Sequence, residues 1–388
     1  MHSPIDIAEN THFHSGTQIK VIGVGGGGGN AVQYMIAQQV RGVQFLCANT
    51  DAQALLHSSA HHTIHLGDNG MGAGGIPEEG RKAALVAEAE IRAALENTHM
   101  LFIAAGMGGG TGTGAAPVIA RIAREMGILT VAVVTKPFEW EGKVRSAKAD
   151  EGLAELEPNA DALVVVLNDK LHEVFGDDIA LDDAFAQADC VLYNAVGGLA
   201  EIITGYFMNL DFADVRTIMQ AAGKAMMGTA QASGKERARL AAEHAIACPL
   251  LEGLDLAGAK GVLVLISAPK GKLKLSEAKA AADTVRAYAS PEATFIYGAS
   301  HDENLEDNIR VTVVATGLTP RAQARRQNIQ VVVQPDGGLQ RSSEGEYQEG
   351  SPPQQPAWRS NRSPLRSAAP FLPASADIPT YLKKRQAD

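Results

Sequence analysis

Three short runs in this 388-residue sequence have residue types and spacings that could do chemistry. The first, Gly23-Val-Gly25-Gly26-Gly27-Gly28-Gly29-Asn30, fits the pattern GxGxxG between a strand and a helix. Glycines there let backbone N–H groups close on a phosphate at a helix N-terminus. Alone, the run fits a dinucleotide as well as any other phosphate ligand. Asp51 even lies about 20 residues on, where a dinucleotide fold places its ribose-binding acid. The second run, Gly106-Met-Gly108-Gly109-Gly110-Thr111-Gly112-Thr113-Gly114, follows another strand and opens another helix. Its successive N–H groups can form an anion nest, and Thr111 and Thr113 offer hydroxyls to phosphate oxygens or to a magnesium shell. Two such loops on one sheet edge suit a longer, more highly charged polyphosphate, and no GxxxxGK[ST] P-loop occurs. The third run, Asn209-Leu-Asp211-Phe-Ala-Asp214, sets two carboxylates three residues apart at a helix start. That spacing is as consistent with ordinary N-capping as with orienting a water molecule.

The elements that must position these runs can be read from hydrophobic patterning. Strands are predicted at Gln18–Val24, Val43–Ala48, Met100–Ala105, Ile128–Thr135 and Asp161–Leu167. Helices are predicted at Ala31–Val40, Pro77–Leu95, Thr113–Met126 and Lys148–Leu156. This alternation predicts an α/β fold, a Rossmann-like parallel sheet covered by helices on both faces, with its ligand at the carboxyl ends of the strands. A long helical pattern over 179–204 predicts a central helix about 35–40 Å long, although Gly197-Gly198 interrupts it. It leads to a smaller α+β domain with strands near Gly261–Ser267, Ala293–Tyr297 and Asn308–Thr316 and helices at Lys235–Ala247 and Ser276–Tyr288. The expected division is a loose arm over 1–17, a nucleotide-binding domain over 18–178, the central helix over 179–204 and a second domain over 205–317. A disordered linker over 318–376 and a terminal peptide over 377–388 complete it. The glycine loops belong at one end of the central helix and the acids just past the other. One chain therefore cannot bring its own acids to its own ligand, and a second copy stacked head to tail is required.

Composition narrows the possibilities further. A net charge of −10 argues against a general nucleic-acid binder. The charge is uneven: residues 321–388 hold ten Lys/Arg against six Asp/Glu, leaving 24 basic and 38 acidic residues in the body. Cys47, Cys190 and Cys248 lie far apart with no CxxC pair, the usage expected of reduced thiols in a cytoplasmic protein. Neither a secretory signal nor a transmembrane segment is expected, since no apolar run approaches the roughly 18–20 residues needed to span a bilayer. Nine of the seventeen prolines fall between Pro320 and Pro379 among Ser, Gln, Gly and Arg, a composition that cannot form a core. In the last dozen residues Ile378, Tyr381 and Leu382 stand at helical spacing beside a basic triplet, as in a peptide that docks on a partner.

The run Gly108-Gly-Gly-Thr-Gly-Thr-Gly114 resembles the hallmark of the tubulin/FtsZ superfamily. Ile19–Asn30, Ala48–Leu55, Phe102–Pro117, Thr130–Phe138 and Asn209–Met219 resemble the bacterial FtsZ family in particular, and Asp377–Asp388 resembles its C-terminal peptide. The resemblance implies a cytoplasmic GTPase of cell division that polymerises head to tail at the division site beneath the inner membrane, using GTP with Mg2+ and releasing GDP. By the same resemblance Gly25, Gly26 and Gly27 line the phosphates with Gly108, Gly109, Gly110, Thr111, Gly112 and Thr113. Ala73 and Gly75 sense the γ-phosphate, and Glu141 and Arg145 hold ribose and phosphate. Asn30, Asn168 and Asp189 contact the guanine or ribose, with Asp189 accepting from the purine. Asn209, Asp211 and Asp214 form the catalytic loop supplied to a neighbour, and no metal ligand is assigned directly to a protein side chain. The terminal peptide 377–388 implies membrane-anchoring and regulatory division partners. From the residues alone, Asn168 also reads as a helix cap and Glu141 as an exposed loop acid. A Rossmann oxidoreductase and a non-hydrolysing cytoskeletal relative are the competing functions. Departures from the family pattern are Thr204-Gly-Tyr-Phe-Met208 before the acidic run, Leu167 in place of a proline, Gly75 in place of an alanine, and Glu139-Trp140.

Overall fold

The computed structural model describes residues 17–170, 180–204, 211–220, 224–248 and 256–318. The expected arm, most of the acidic run's flank including Asn209, the linker and the terminal peptide lie outside the described residues. Six parallel strands form the first sheet: β1 (Ile19–Val24), β2 (Val43–Asn49), β3 (His62–His65), β4 (Met100–Gly106), β5 (Leu129–Lys136) and β6 (Ala162–Leu167). The second group is mixed: β7 (Lys224–Ala232), β8 (Gly261–Ala268), β9 (Thr294–His301) and β10 (Ile309–Leu318). The strand order is β3-β2-β1-β4-β5-β6-β7-β10-β8-β9, and the two groups meet through a single pairing of Val164 with Ala225. The helices are α1 (Gly25–Ala37), α2 (Ala52–Leu56), α3 (Pro77–Val86), α4 (Glu88–Ala94), α5 (Thr111–Glu125), α6 (Lys143–Leu156), α7 (Leu181–Thr204), α8 (Phe212–Met219), α9 (Arg237–Ile246) and α10 (Leu275–Arg286).

Strands buried on both faces need side chains that are apolar throughout, and Met100–Ala105 and Val131–Val134 are. Successive residues of these strands point to opposite faces. Val21, Phe102 and Val131 therefore join α1 and the Leu192–Leu199 stretch of α7, while Ile22, Ile103 and Val134 join α5 through Ile119 and Ile122. A third core beneath the second group packs Val262, Val264, Val311 and Val313 against Ala241 of α9 and Val285 of α10. Each such fully buried side chain contributes about 2 kcal/mol.

The central helix is continuous for 24 residues, about 36 Å, and runs straight through Gly197-Gly198. Burial of Val196, Leu199 and Ala200 on either side overrides the weak propensity of the glycine pair. The helix expected over Pro77–Leu95 is two helices that meet at Ala87, whose ψ of 12° breaks the run. No described helix is long and apolar enough to cross a membrane.

Candidate functional site

Because β1, β4, β5 and β6 are adjacent and parallel, the loops after their carboxyl ends crowd together. The chain turns from β1 straight into α1 at Gly25 and from β4 through Gly106–Gly110 into α5, so two helix N-termini stand side by side. Their unpaired N–H groups and positive dipole ends favour an anion. Gly25 has φ +71°, and a side chain there would lie 2.8 Å from the Gly112 nitrogen. Gly108 has φ +97°, and a side chain there would meet the Arg145 carbonyl at 2.7 Å. The loops therefore interlock through positions that only glycine fills. Gly26 and Gly109, in contrast, have no heavy atom within 4 Å of a Cβ position, so the space they face is open.

The two threonines of the second loop differ. The Thr111 hydroxyl lies 2.7 Å from that of Thr50, at the end of β2. Thr113 is buried, and its hydroxyl accepts the Gly108 N–H at 2.8 Å. It braces the loop from inside, its own O–H not being used in that bond. Ala73 closes on Gly110, whose Cβ position lies 2.8 Å from the Ala73 methyl. Lys148 Nζ donates to the Gly75 carbonyl at 2.7 Å, tying this loop to α6. Neither Thr50 nor Lys148 was singled out from the sequence. Thr50 sits inside the Ala48–Leu55 stretch that carried the resemblance, whereas Lys148 gave no signal.

The opposite wall is built after β5 and β6. Glu141 is nearly buried, accepts the Phe138 N–H at 2.9 Å and pairs with Arg145 at 3.0 Å, so it is not a free loop acid. Phe138 stacks on Trp140 at 5.5 Å and meets Phe185 of α7 edge-on at 5.7 Å. Asn168, directly after β6, is buried with its Oδ1 lacking any hydrogen-bond partner among the described residues, so it does not cap a helix. A buried acceptor left unpaired costs about 1–3 kcal/mol, which a ligand donor would recover. On α7, burial pushes the Asp189 carboxyl up to about 7. Its neighbours on that side are Cys190, whose thiol burial also raises, and Tyr34 of α1, which packs edge-on against Tyr193 at 5.8 Å. Asn30 is exposed one turn before Tyr34. Asp51 caps α2 by accepting the N–H groups of Gln53 and Ala54, so the acid that a dinucleotide site would need for ribose is engaged elsewhere.

The acidic pair stands elsewhere. Asp211 caps α8, its Oδ1 accepting the Ala213 N–H at 3.2 Å, and Asp214 is exposed in the first turn. Between them Phe212 meets the ring of His99, and Arg216 donates to the Gly127 carbonyl at 3.4 Å. His99 and Gly127 lie just before β4 and β5, at the amino ends of the strands whose carboxyl ends carry the glycine loop and the Glu141 wall. Seven residues of β4 alone span about 23 Å. The cradle and the acids are at opposite ends of the β4 and β5 strands, and α7 lies between them in the sequence.

The sequence matches the Tubulin/FtsZ family, GTPase domain, over residues 18–176 and the FtsZ family, C-terminal domain, over residues 223–319. It is 52% identical over 322 residues to the cell division protein FtsZ of Buchnera aphidicola subsp. Schizaphis graminum, covering 82% of each chain. It is 53% identical over 309 residues to that of Coxiella burnetii, covering 79% of this chain and 80% of the relative. Among solved structures it resembles an empty FtsZ dimer from M. jannaschii, with a TM-score of 0.74 and 44% identity over 77% of this chain and 88% of that one.

Proposed function

The chain belongs to the FtsZ family of tubulin-like GTPases, and on that footing we propose how its residues divide the work of hydrolysis. It is a GTPase that forms filaments in bacterial cell division. The β- and γ-phosphates lie in the open space before Gly26 and Gly109, held by N–H groups of Gly25–Gly27 and Gly108–Gly112 and by the Thr111 hydroxyl. Ala73 and Gly75 close on the γ-phosphate, with Lys148 holding their loop. Arg145, steadied by Glu141, serves ribose and phosphate. Asn30, Asn168 and Asp189 read the base and ribose, the Asp189 carboxylate accepting from the purine N–H groups. Hydroxyl and amide donors suit a magnesium ion that arrives on the phosphates and keeps its waters, with Thr111 at hand for that shell. When bound, the ion supplies charge neutralisation on the phosphate oxygens.

Asp211 and Asp214, with Asn209 beside them, enter the cradle of the adjoining subunit. There they accept hydrogen bonds from the attacking water and direct its oxygen in line at the γ-phosphorus, while the bond to the bridging oxygen breaks and GDP leaves. Residues 18–178 form the nucleotide-binding domain, 179–204 the connecting helix and 205–317 the domain that presents the acids. Residues 318–376 serve as a linker and 377–388 as the peptide that engages membrane-anchoring and regulatory partners, which keeps the filament in the cytoplasm at the division site.

One observation carries this reading: the acids and the glycine cradle sit at opposite ends of the same strands. A repeated head-to-tail contact brings one to the other and does not close on itself, so it builds a filament. Phosphate release per chain should then rise with protein concentration and level off once polymers form. A rate per chain that is unchanged on dilution to monomers contradicts the shared site.

A further inference from the structure

His99 lies outside the cradle and outside the acidic run, and its exposed ring is held by a hydrogen bond. Its N–H donates to the Gln18 carbonyl at 2.9 Å, and its own carbonyl accepts the Leu129 N–H at 3.1 Å. Its Nδ1 accepts the Gln18 N–H at 3.0 Å. The Gln18 N–H thus orients the imidazole through Nδ1. It meets the Phe212 ring at 74°, with centroids 6.3 Å apart, within the edge-to-face range for aromatic pairs.

Phe212 is the first residue of α8 and stands between the two acids. Asp211 is the cap of that helix, and the Asp214 N–H donates to the Asp211 carbonyl at 3.0 Å. The far half of α8 is held by the core through Val215, Ile218 and Met219 and by the Ile218 carbonyl, which accepts the Thr316 hydroxyl at 2.8 Å. The acid-bearing end is held less deeply: Asp211 and Asp214 are exposed, Phe212 packs partly buried against the edge of the same core, and its ring meets that of His99. Asp211, Phe212 and Asp214 share one hydrogen-bonded turn, so a shift of that turn as Phe212 reseats moves both carboxylates together.

We propose that His99 is a positioning residue for hydrolysis: by orienting Phe212 it sets where Asp211 and Asp214 stand when they meet the nucleotide of the adjoining subunit. The proposal rests on the reading that those acids serve the neighbour. A displacement of about 1 Å in such a group can cost as much as about a hundredfold in rate, so a weak contact remote from a chain's own nucleotide has leverage on turnover.

The alternative role for His99, finishing the sheet edge at Gln18, is separable by substitution. His99→Asn keeps an oxygen able to accept the Gln18 N–H but removes the ring. His99→Phe keeps a ring against Phe212 but removes the acceptor. Both are made in the full chain beside Asp214→Ala, and GTP turnover per polymerised subunit, GDP affinity and the light-scattering threshold for assembly are measured. His99→Asn should turn over about tenfold more slowly with GDP affinity and threshold unchanged, while His99→Phe stays within about twofold of the unaltered chain. Phe212→Leu should be as slow as His99→Asn, and the double variant no slower than either, since both break the same contact. Full turnover by His99→Asn, equal losses in the Asn and Phe variants, or additive losses in the double variant overturn the positioning role. If Asp214→Ala is inactive while His99→Asn is fully active, only this proposal falls; if Asp214→Ala is itself active, the hydrolytic reading falls.

Discussion

At the scale of single residues, Asp189 offers the sharpest test of how the base is read. Burial pushes its carboxyl up to about 7. In the free chain that raised value favours folding at low pH, and the contribution is lost as pH rises from the ordinary carboxylate range through about 7. Nucleotide binding has the opposite sign, because purine N–H donors need the carboxylate and so expel the proton. GDP affinity should be greatest above pH 7 and weaken below it, by up to about tenfold per pH unit. Titrations between pH 6 and 8 check this, and Asp189→Asn should flatten the slope; a flat profile in the unaltered chain removes Asp189 from the base site. Residue chemistry was legible where backbone dictated it, in the two glycine runs. It was less legible for Thr113, which braces its own loop, and for Asn168, whose unpaired oxygen only burial reveals.

At the scale of elements, Arg237 at the start of α9 shows how the second group of strands holds its loops. Its guanidinium pairs with Glu277 at 2.8 and 3.1 Å and donates to the Lys272 carbonyl at 2.8 Å and to the Asp307 carbonyl. Both partners are largely buried. Arg237→Ala leaves Glu277 with only the Lys274 N–H as a partner and should lower stability by about 3 kcal/mol in urea unfolding, with nucleotide affinity unchanged. The Arg237 guanidinium holds the Glu277 carboxyl below its usual range. That depressed value gives stability present above the ordinary carboxylate range and lost as pH falls below it, so the difference between the chains should shrink below about pH 4. No loss at neutral pH would mark the clamp as energetically idle.

The same scale explains what patterning missed. β7 reads Lys-Ala-Met-Met-Gly-Thr-Ala-Gln-Ala, rich in helix formers, and is a strand because it pairs along β10 from Ile309 to Leu318. β3 has only four residues at the sheet edge, too few for a period to register. α1 begins at Gly25, six residues before the Ala31 expected from propensity, since the strand-to-helix turn sets the start. The first sheet and the central helix were legible because strands buried on both faces and a 24-residue amphipathic run leave strong patterns.

At the scale of the whole molecule, the central claim is that no chain is a complete enzyme. α7 is about 36 Å long, and the proposed half-sites lie at opposite ends of β4, so on this reading two chains are needed for one turnover. The most direct test mixes two chains that each lack one half. Asp214→Ala keeps the cradle and loses an acid. Gly109→Asp keeps the acids and adds a negative side chain whose Cβ meets no heavy atom within 4 Å beyond its chain neighbours, so it should repel phosphate at little steric cost. Each should hydrolyse almost no GTP alone, and turnover should return when they are combined, because the acids of the second chain reach the nucleotide of the first. A mixture as inactive as its components would contradict the account.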